Sequence, residues 1–232
     1  MDTRAWTQQD IAGCVGAVLR SRRSVRAFLP RPVSREQVLD ILRTASCAPS
    51  NSNTQPWRVH VVAGEPKQRL AQALEAAFDH GDVPPPEHFP DPLPDEFQSR
   101  QADFGAHYYG TLNIDRGDMA ARNAQTRRNF SFFGAPVGLV FAIDGRLTRH
   151  SWLDLGLFVQ NVMIAARCRG LDTCPQVSFA RYHAVVAEQL AMGPHEVTAC
   201  GMSMGYADAD ARVNGMQLPR RDVDDFARLA GF

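Results

Sequence analysis

Residues 45–57 read Ala45-Ser46-Cys47-Ala48-Pro49-Ser50-Asn51-Ser52-Asn53-Thr54-Gln55-Pro56-Trp57. They join a helix to a strand through a cluster of hydroxyl and amide side chains. On the N-terminal side, Ser34 followed by Gln37 has the spacing of a capping box. Val38, Leu39, Ile41, Leu42 and Ala45 then form the apolar face of a helix. That helix stops before Pro49, because proline disfavours the α conformation at its predecessor. On the C-terminal side, Arg58-Val59-His60-Val61-Val62-Ala63 is rich in β-branched residues and predicts a strand. The polar side chains between them have two readings. They cap turns through local backbone bonds, or they offer donors and acceptors to a flat heterocycle with a polar edge. Neither Ser50 nor Ser52 sits in the GxSxG turn that a serine hydrolase requires.

Further toward the N-terminus, Ile11, Val15, Val18 and Leu19 predict an amphipathic helix over 7–20. It leads into Arg20-Ser21-Arg22-Arg23-Ser24-Val25-Arg26, and Pro30 and Pro32 then break the chain. Toward the C-terminus, Pro66 suits the first turn of a helix with Leu70, Ala73, Leu74 and Ala77 on one face. Six prolines between Pro84 and Pro94 make 79–97 a long excursion and a candidate lid. Helical stretches follow at about 97–110 and 117–129. Ala135–Asp144 (APVGLVFAID) is nearly all apolar and reads as a central strand. Ser151 is the expected cap of a helix over 152–169 that Gly170 ends. A loop over 171–178, a helix near 183–192 and a strand over 197–206 complete the order.

Few strands, many helices and no strict βαβ alternation predict an α+β sandwich over one domain, residues 1–232. Neither GxGxxG nor GxxxxGK[ST] occurs, so no dinucleotide fold or phosphate-binding loop is indicated. Formal net charge is zero, which argues against a nucleic-acid coat or a membrane-surface protein. No apolar run reaches the roughly 18 residues that span a bilayer. The N-terminal MDTRAWTQQD has no apolar signal core, so the expectation is a cytoplasmic protein. Cys14, Cys47, Cys168, Cys174 and Cys200 are odd in number and scattered. They read as reduced thiols, with no zinc-ligand spacing and no metal site expected.

Four segments carry chemistry. Arg22-Arg23-Ser24-Val25-Arg26 is either a phosphate clamp or a solvated basic turn at a helix end. The 45–57 loop is the second. Asp172-Thr173-Cys174-Pro175-Gln176-Val177-Ser178 is the third; Cys174 there could be a nucleophile, but no activating base is evident. Leu218-Pro219-Arg220-Arg221 is a second basic pair. Asn129-Phe130-Ser131-Phe132-Phe133 is either core or an aromatic wall over a planar ligand.

Taken in order, RRSVR, APSNSNTQPW leading a strand, GLDTCPQ after a long helix and GMSMGYAD…LPRR resemble the nitroreductase family of FMN-dependent flavoproteins. The resemblance spans roughly residues 16–226. NFSFFGAPVGLVFAID and TCPQ are most similar to the bacterial nitroaromatic and nitrobenzoate reductase branch. It implies a three-layer sandwich with a mostly antiparallel central sheet flanked by helices, in an intertwined homodimer. It also implies FMN at the dimer interface and NADH or NADPH as transient donor. Two electrons then pass to a nitroaromatic or quinone acceptor by a ping-pong route, the chemistry residing on FMN and not on a catalytic side chain.

By position, the resemblance places Arg22, Arg23 and Ser24 at the FMN phosphate and ribityl chain, completed by Arg220 and Arg221. Arg26 goes to the pyrimidine edge. Pro49, Ser50, Asn51 and Asn53 come from the other subunit, with Gln55, Pro56 and Trp57 bracing the loop. Pro175, Gln176, Val177 and Ser178 line the N5 edge. Val177 is the candidate N5 partner, although other branches carry Glu or Gly at 177–178. Tyr109, Phe130 and Phe132 are candidates for the substrate wall. Alternatives on the same fold are dehalogenation and ene-type reduction. A basic-turn module binding nucleic acid is the alternative from another class, disfavoured by zero net charge.

Overall fold

The computed structural model describes residues 6–81 and 93–232. Most of the proline-rich excursion therefore lies outside the described residues. Helix α1 spans Gln8–Ser21 and begins at a Thr7/Asp10 capping box, and α2 spans Arg35–Ala45 and begins at the expected Ser34/Gln37 box. Strand β1 (Arg58–Ala63) leads to α3 (Gly64–His80). Helices α4 (Asp95–Thr111) and α5 (Met119–Arg127) precede β2, Val137–Asp144. Helix α6 (Arg149–Cys168) is followed by β3 (Asp172–Gln176), the short α7 (Ser178–Arg181) and α8 (His183–Gln189). The last strand, β4, runs Glu196–Gly205.

Two local expectations change. Helix α6 starts after Thr148, so Ser151 lies inside its first turn and does not cap it. The 171–178 stretch is not a loop. Residues 172–176 form an antiparallel strand against β4, with Asp172 opposite Gly205 and Gln176 opposite Gly201. The proline and short length hid this strand, since Pro175 lacks a ladder donor and such residues mark edge positions. The expected end at Gly170 holds, where φ is +72°.

The sheet order is β1-β2-β4-β3, antiparallel throughout. Seven of the eight β2 residues are buried. Alternation sorts them to the two faces. Val137, Leu139, Phe141 and Ile143 pack with Val38, Ile41, Leu155, Phe158 and Val162 of α2 and α6. Val140 points to the other face, where Val62, Leu70, Leu74, Phe179 and Val186 gather under α3, α7 and α8. The three layers are thus α2/α6, the sheet, and α3/α7/α8.

Two glycines let aromatic rings lie directly on the sheet. A Cβ built on Gly138 would come 2.4 Å from the Phe132 ring, and one on Gly201 would come 2.7 Å from the Phe179 ring. The two rings contact one another, with centroids 4.9 Å apart. Phe132 reaches this position through a turn in which Phe132, Phe133 and Gly134 all have positive φ. Replacing Gly138 with Ala should therefore displace Phe132 and cost about 1–3 kcal/mol, the usual penalty for overpacking a core. Urea unfolding of the variant measures this; an unchanged midpoint would show that the ring has room to retreat.

Candidate functional site

The RRSVR segment is held as an extra extended strand at the outer edge of β3. The Val25 N–H donates to the Thr173 carbonyl at 3.0 Å, and Ser24 forms a parallel bridge with Thr173. A few residues on, Phe28 pairs with Ala207, Leu29 N–H donates to the Tyr206 carbonyl and Asp208 N–H to the Ala27 carbonyl. Asn214 closes the frame from beneath. Only 2% exposed, it accepts the Arg26 N–H at 2.8 Å and donates to the Ala27 and Asp208 carbonyls at 2.7 and 2.8 Å. The basic segment is thus an extended stretch tied to the sheet edge by an isolated bridge and by Asn214.

In an extended chain, alternate residues share a face. Arg22, Ser24 and Arg26 all act on the Cys174 thiol. Burial pushes its pKa up to about 11, opposed by the Arg26 charge, a hydrogen bond from Ser24 and the Arg22 charge. Val25, on the alternate register, is buried in the core. Arg23 is exposed. None of Arg22, Arg23 and Arg26 has a carboxylate within ion-pair distance among the described residues, whereas Arg127, Arg146, Arg167 and Arg169 each have one. Three guanidiniums in five residues without a carboxylate partner are chemically able to receive an anion. The Arg26 guanidinium also lies over the Tyr108 and Phe104 rings of α4, 5.0 and 5.5 Å from their centroids. Gln125 Nε2 donates to the Tyr108 hydroxyl at 2.7 Å.

Beyond β3, Pro175 is half-buried and Val177 is 58% exposed at the turn into α7. Gln176 uses its side chain internally, donating to the Asn129 carbonyl and accepting from Ser203. Only its backbone is left for a ligand. The Ser178 hydroxyl is buried without a hydrogen-bond partner, as is that of Thr173. Such atoms are costly unless something satisfies them.

The 45–57 loop is elsewhere. It opens β1, at the sheet edge opposite β3, and two intervening strands put those edges roughly 14 Å apart. It docks on the N-terminal half of α6, where the Asn51 N–H donates to Asp154 Oδ2 at 3.1 Å. The RRSVR segment meets the other half: Arg167 donates to the Ser21 hydroxyl at the end of α1 and to Asp172 of β3. Asp154 and Arg167 are thirteen residues apart on one helix, or ~20 Å along its axis. The Ser50 hydroxyl accepts the Gln55 N–H, leaving its own hydrogen to donate. Pro49, Asn51 and Asn53 are exposed.

The remaining expectations divide. Arg220 donates to the Leu218 and Pro219 carbonyls of its own turn, and Arg221 to the Asp225 carbonyl. Neither contacts the 22–26 segment within the chain. Phe130 and Phe132 are corrected: they are core and not a substrate wall. They are 1% and 0% exposed and pack with Phe78, Phe179 and Tyr182. Phenylalanines at that density fill the sheet face that Gly138 and Gly201 leave open. Tyr109 is half-buried on α4, with the Arg122 guanidinium 3.9 Å from its ring centroid. Cys174 is no nucleophile, because burial keeps it protonated near neutral pH.

This arrangement can be set beside known proteins. A model described as the nitroreductase family matches residues 19–206. The chain belongs to the nitroreductase family. It is 49% identical to a 4-nitrobenzoate reductase of Pseudomonas putida over 93% of this chain and 95% of that enzyme. A nitrobenzene nitroreductase of Ectopseudomonas oleovorans is 41% identical over 90% and 93%. Among solved structures, the FMN and NADPH-dependent nitroreductase NfnB from a Sphingopyxis strain superposes with a TM-score of 0.91 at 37% identity. It covers 94% of this chain and 99% of that one. NfnB from Mycobacterium smegmatis, solved in complex with NADPH, gives 0.90 at 33% identity, over 95% and 100%. The four-stranded sheet between two helical layers is the nitroreductase fold.

Sequence reading missed Asn214 and Asp154. The only trace of Asn214 is an Asn-Gly pair, which marks a turn but not the three bonds that it makes. Replacing Asn214 with Ala leaves the Arg26 N–H unpaired and removes one of two bonds at each of the Ala27 and Asp208 carbonyls, so a loss of about 1–3 kcal/mol is expected. Thermal melting checks it. A loss well below that range would mean that water replaces the amide. A second outcome concerns alkali. Burial holds the Cys174 thiol at about 11 and Cys200 at about 12, against 9.0 for the free group. The folded state thus keeps protons that the unfolded chain releases. The stability that these two thiols contribute should be constant below pH 9 and fall between pH 9 and about 12. Iodoacetamide at pH 8 should modify the exposed Cys14, Cys47 and Cys168 and spare these two; early labelling of Cys174 would contradict its burial.

Proposed function

We propose that the protein is an FMN-dependent reductase that moves two electrons from NADH or NADPH to a nitroaromatic or quinone acceptor, acting as a homodimer. The observation that carries the reading is the placement of the two polar blocks. The RRSVR edge strand and the 49–55 loop are both ligand-ready, yet one chain holds them ~20 Å apart along α6. A second copy can bring the loop of one chain to the arginine segment of the other, as the resemblance to the family implies.

The residues present fit FMN. Arg22, Arg23 and Ser24 offer two guanidiniums and a hydroxyl to a phosphate. Arg220 and Arg221 are free to join them from the tail. Arg26, held by Asn214 beneath and by Tyr108 and Phe104 alongside, offers a fixed cation to the pyrimidine edge. The orphaned Ser178 hydroxyl and the exposed Val177 face the N5 side in this reading. From the second chain, Ser50, Asn51 and Asn53 supply a hydroxyl and two amides, with Pro49 packing beside them. Bound FMN would supply the two-electron carrier that no side chain in the site can replace.

The surface supports a partner. Ile11, Val15 and Leu19 of α1 are each about half exposed, as are Leu153 and Leu157 of α6. Val223, Phe226, Leu229 and Phe232 of the tail are 60–104% exposed. Apolar stripes of this kind mark interaction sites. Donor and acceptor would occupy the same space in turn, giving ping-pong kinetics. The family's 4-nitrobenzoate and nitrobenzene reductases, at 49% and 41% identity, favour a nitroaromatic acceptor. Among the described residues no helix is long and apolar enough to cross a membrane, and all five cysteines are free; a reducing cytoplasm suits them.

Purified protein should be yellow, bleach on adding NADH or NADPH, and regain colour with a nitroaromatic. A colourless protein that takes up no FMN would sink the reading. A mixing experiment tests the shared site. An Arg22→Glu chain and an Asn51→Asp/Asn53→Asp chain should each be inactive alone. Co-assembled, they regain about a quarter of full activity, because half of the dimers carry one intact site of two. No recovery in a demonstrated heterodimer would place both blocks on one chain's flavin.

A further inference from the structure

The 50–55 loop holds a backbone that it would not keep unaided. Ser52, Asn53 and Gln55 have φ of +51°, +55° and +47°. L-residues pay on the order of 1–2 kcal/mol each for that region, and such strain persists only where the surroundings over-determine it. The surroundings here are one stripe of α6. Asp154, Phe158 and Asn161 stand at i, i+4 and i+7, so they share a helix face. Asn161 Nδ2 donates to the Ala45 carbonyl at 3.4 Å, before the loop. Phe158 stacks on Trp57, with centroids 4.7 Å apart and planes within 6°, after the loop. Between them, Asp154 Oδ2 accepts the Asn51 N–H that opens the strained turn.

Asp154 is the unusual member. It is 6% exposed, a carboxylate set between Leu153 and Leu155 with no ion-pair partner among the described residues. Burying a carboxylate is costly, and a helix packed on a sheet has no need of one at that position. Among the described residues, the one hydrogen bond that its side chain makes goes to the loop. We infer that Asp154 is a positioning residue for the flavin-binding loop: its carboxylate fixes the Asn51 amide and so sets the left-handed turn that aims Ser50, Asn51 and Asn53 at the neighbouring subunit's FMN. The inference rests on the proposed flavin reading for what the loop holds, but not for how the loop is held.

The experiment compares Asp154→Leu with Asp154→Asn in the full chain, with FMN removed and then restored. Asparagine keeps an acceptor oxygen and leucine does not. Two readouts are taken, amide hydrogen exchange over 51–55 before FMN is added and the FMN dissociation constant from fluorescence quenching. Asp154→Leu should speed exchange of those amides and weaken FMN by at least about tenfold, while Asp154→Asn stays within about threefold of the parent. Asn51→Pro removes the donor itself, in a place where proline fits. Ser50 before it is extended, with φ −146° and ψ 153°, and residue 51 opens a 3-10 turn. Set against Asn51→Ala, which keeps the N–H, it should reproduce the leucine effect. The double variant should be no worse than either single one.

Unchanged loop exchange in Asp154→Leu would overturn the inference, as would additive losses in the double variant. A loosened loop with undiminished FMN affinity would also do so. Should Asp154→Leu fail to fold, the Asn51→Pro and Asn51→Ala pair decides alone. If the parent chain binds no FMN the flavin reading fails, and the exchange comparison still reports whether Asp154 sets the turn.

Discussion

The burial of α6 against the central strands is the constraint on which the rest depends. Leu155, Phe158, Val162 and Ala166 leave the helix no freedom to slide, because their partners on β2 and β4 are themselves buried. A twenty-residue helix so fixed acts as a ruler. Its first turns hold the 45–57 loop through Asp154 and Phe158, and its last turn holds α1 and β3 through Arg167. In the proposed reading both half-sites are set by the same rigid element, and their separation is the reason that neither would complete a flavin site within the chain. Proteins place binding groups on loops and edges positioned by a stiff scaffold, and α6 is that scaffold here.

Much of this was legible in the sequence, for identifiable reasons. Capping at Ser34 is local chemistry and left a local signature. The β2 strand announced itself because a strand buried on both faces is continuously apolar. β3 did not, since five residues containing a proline carry too little pattern, and its pairing with Gly205 to Gly201 is set from thirty positions away. The arginine segment, on its own pattern, leaned to a solvated turn over a clamp. The Val25 and Asn214 hydrogen bonds hold its backbone against the fold, and no local pattern encodes a partner 188 residues distant.

The phenylalanines show the opposite failure. Phe130 and Phe132 were open to core, which their density favours, or to an aromatic wall, which composition and position suggested. Gly138, which lies under Phe132, and Gly201, which lies under the Phe179 ring that contacts both, look ordinary in sequence. Only when β2 and β4 pair does a missing Cβ become a floor for a ring. Packing of this kind is a property of two surfaces meeting, so neither segment reveals it alone.

The tail extends the reasoning from α6 to the assembly. Arg220 and Arg221 turn back on their own backbone, and the residues after them expose Phe226, Leu229 and Phe232 almost fully. Among the described residues nothing covers this apolar segment, and a surface on a second chain would do so in the proposed assembly. In the proposed homodimer, α1 presents Ile11, Val15 and Leu19 at helical spacing, and α6 presents Leu153 and Leu157. Leu153 precedes Asp154 by one residue, so the helix turn that fixes the flavin loop also carries an apolar contact for the second chain. Loop geometry and dimer contact would then be coupled through a single turn of α6. A subunit would meet its neighbour with the Asn51 turn already formed, and the ordering entropy of that loop would not have to be supplied at the moment FMN binds.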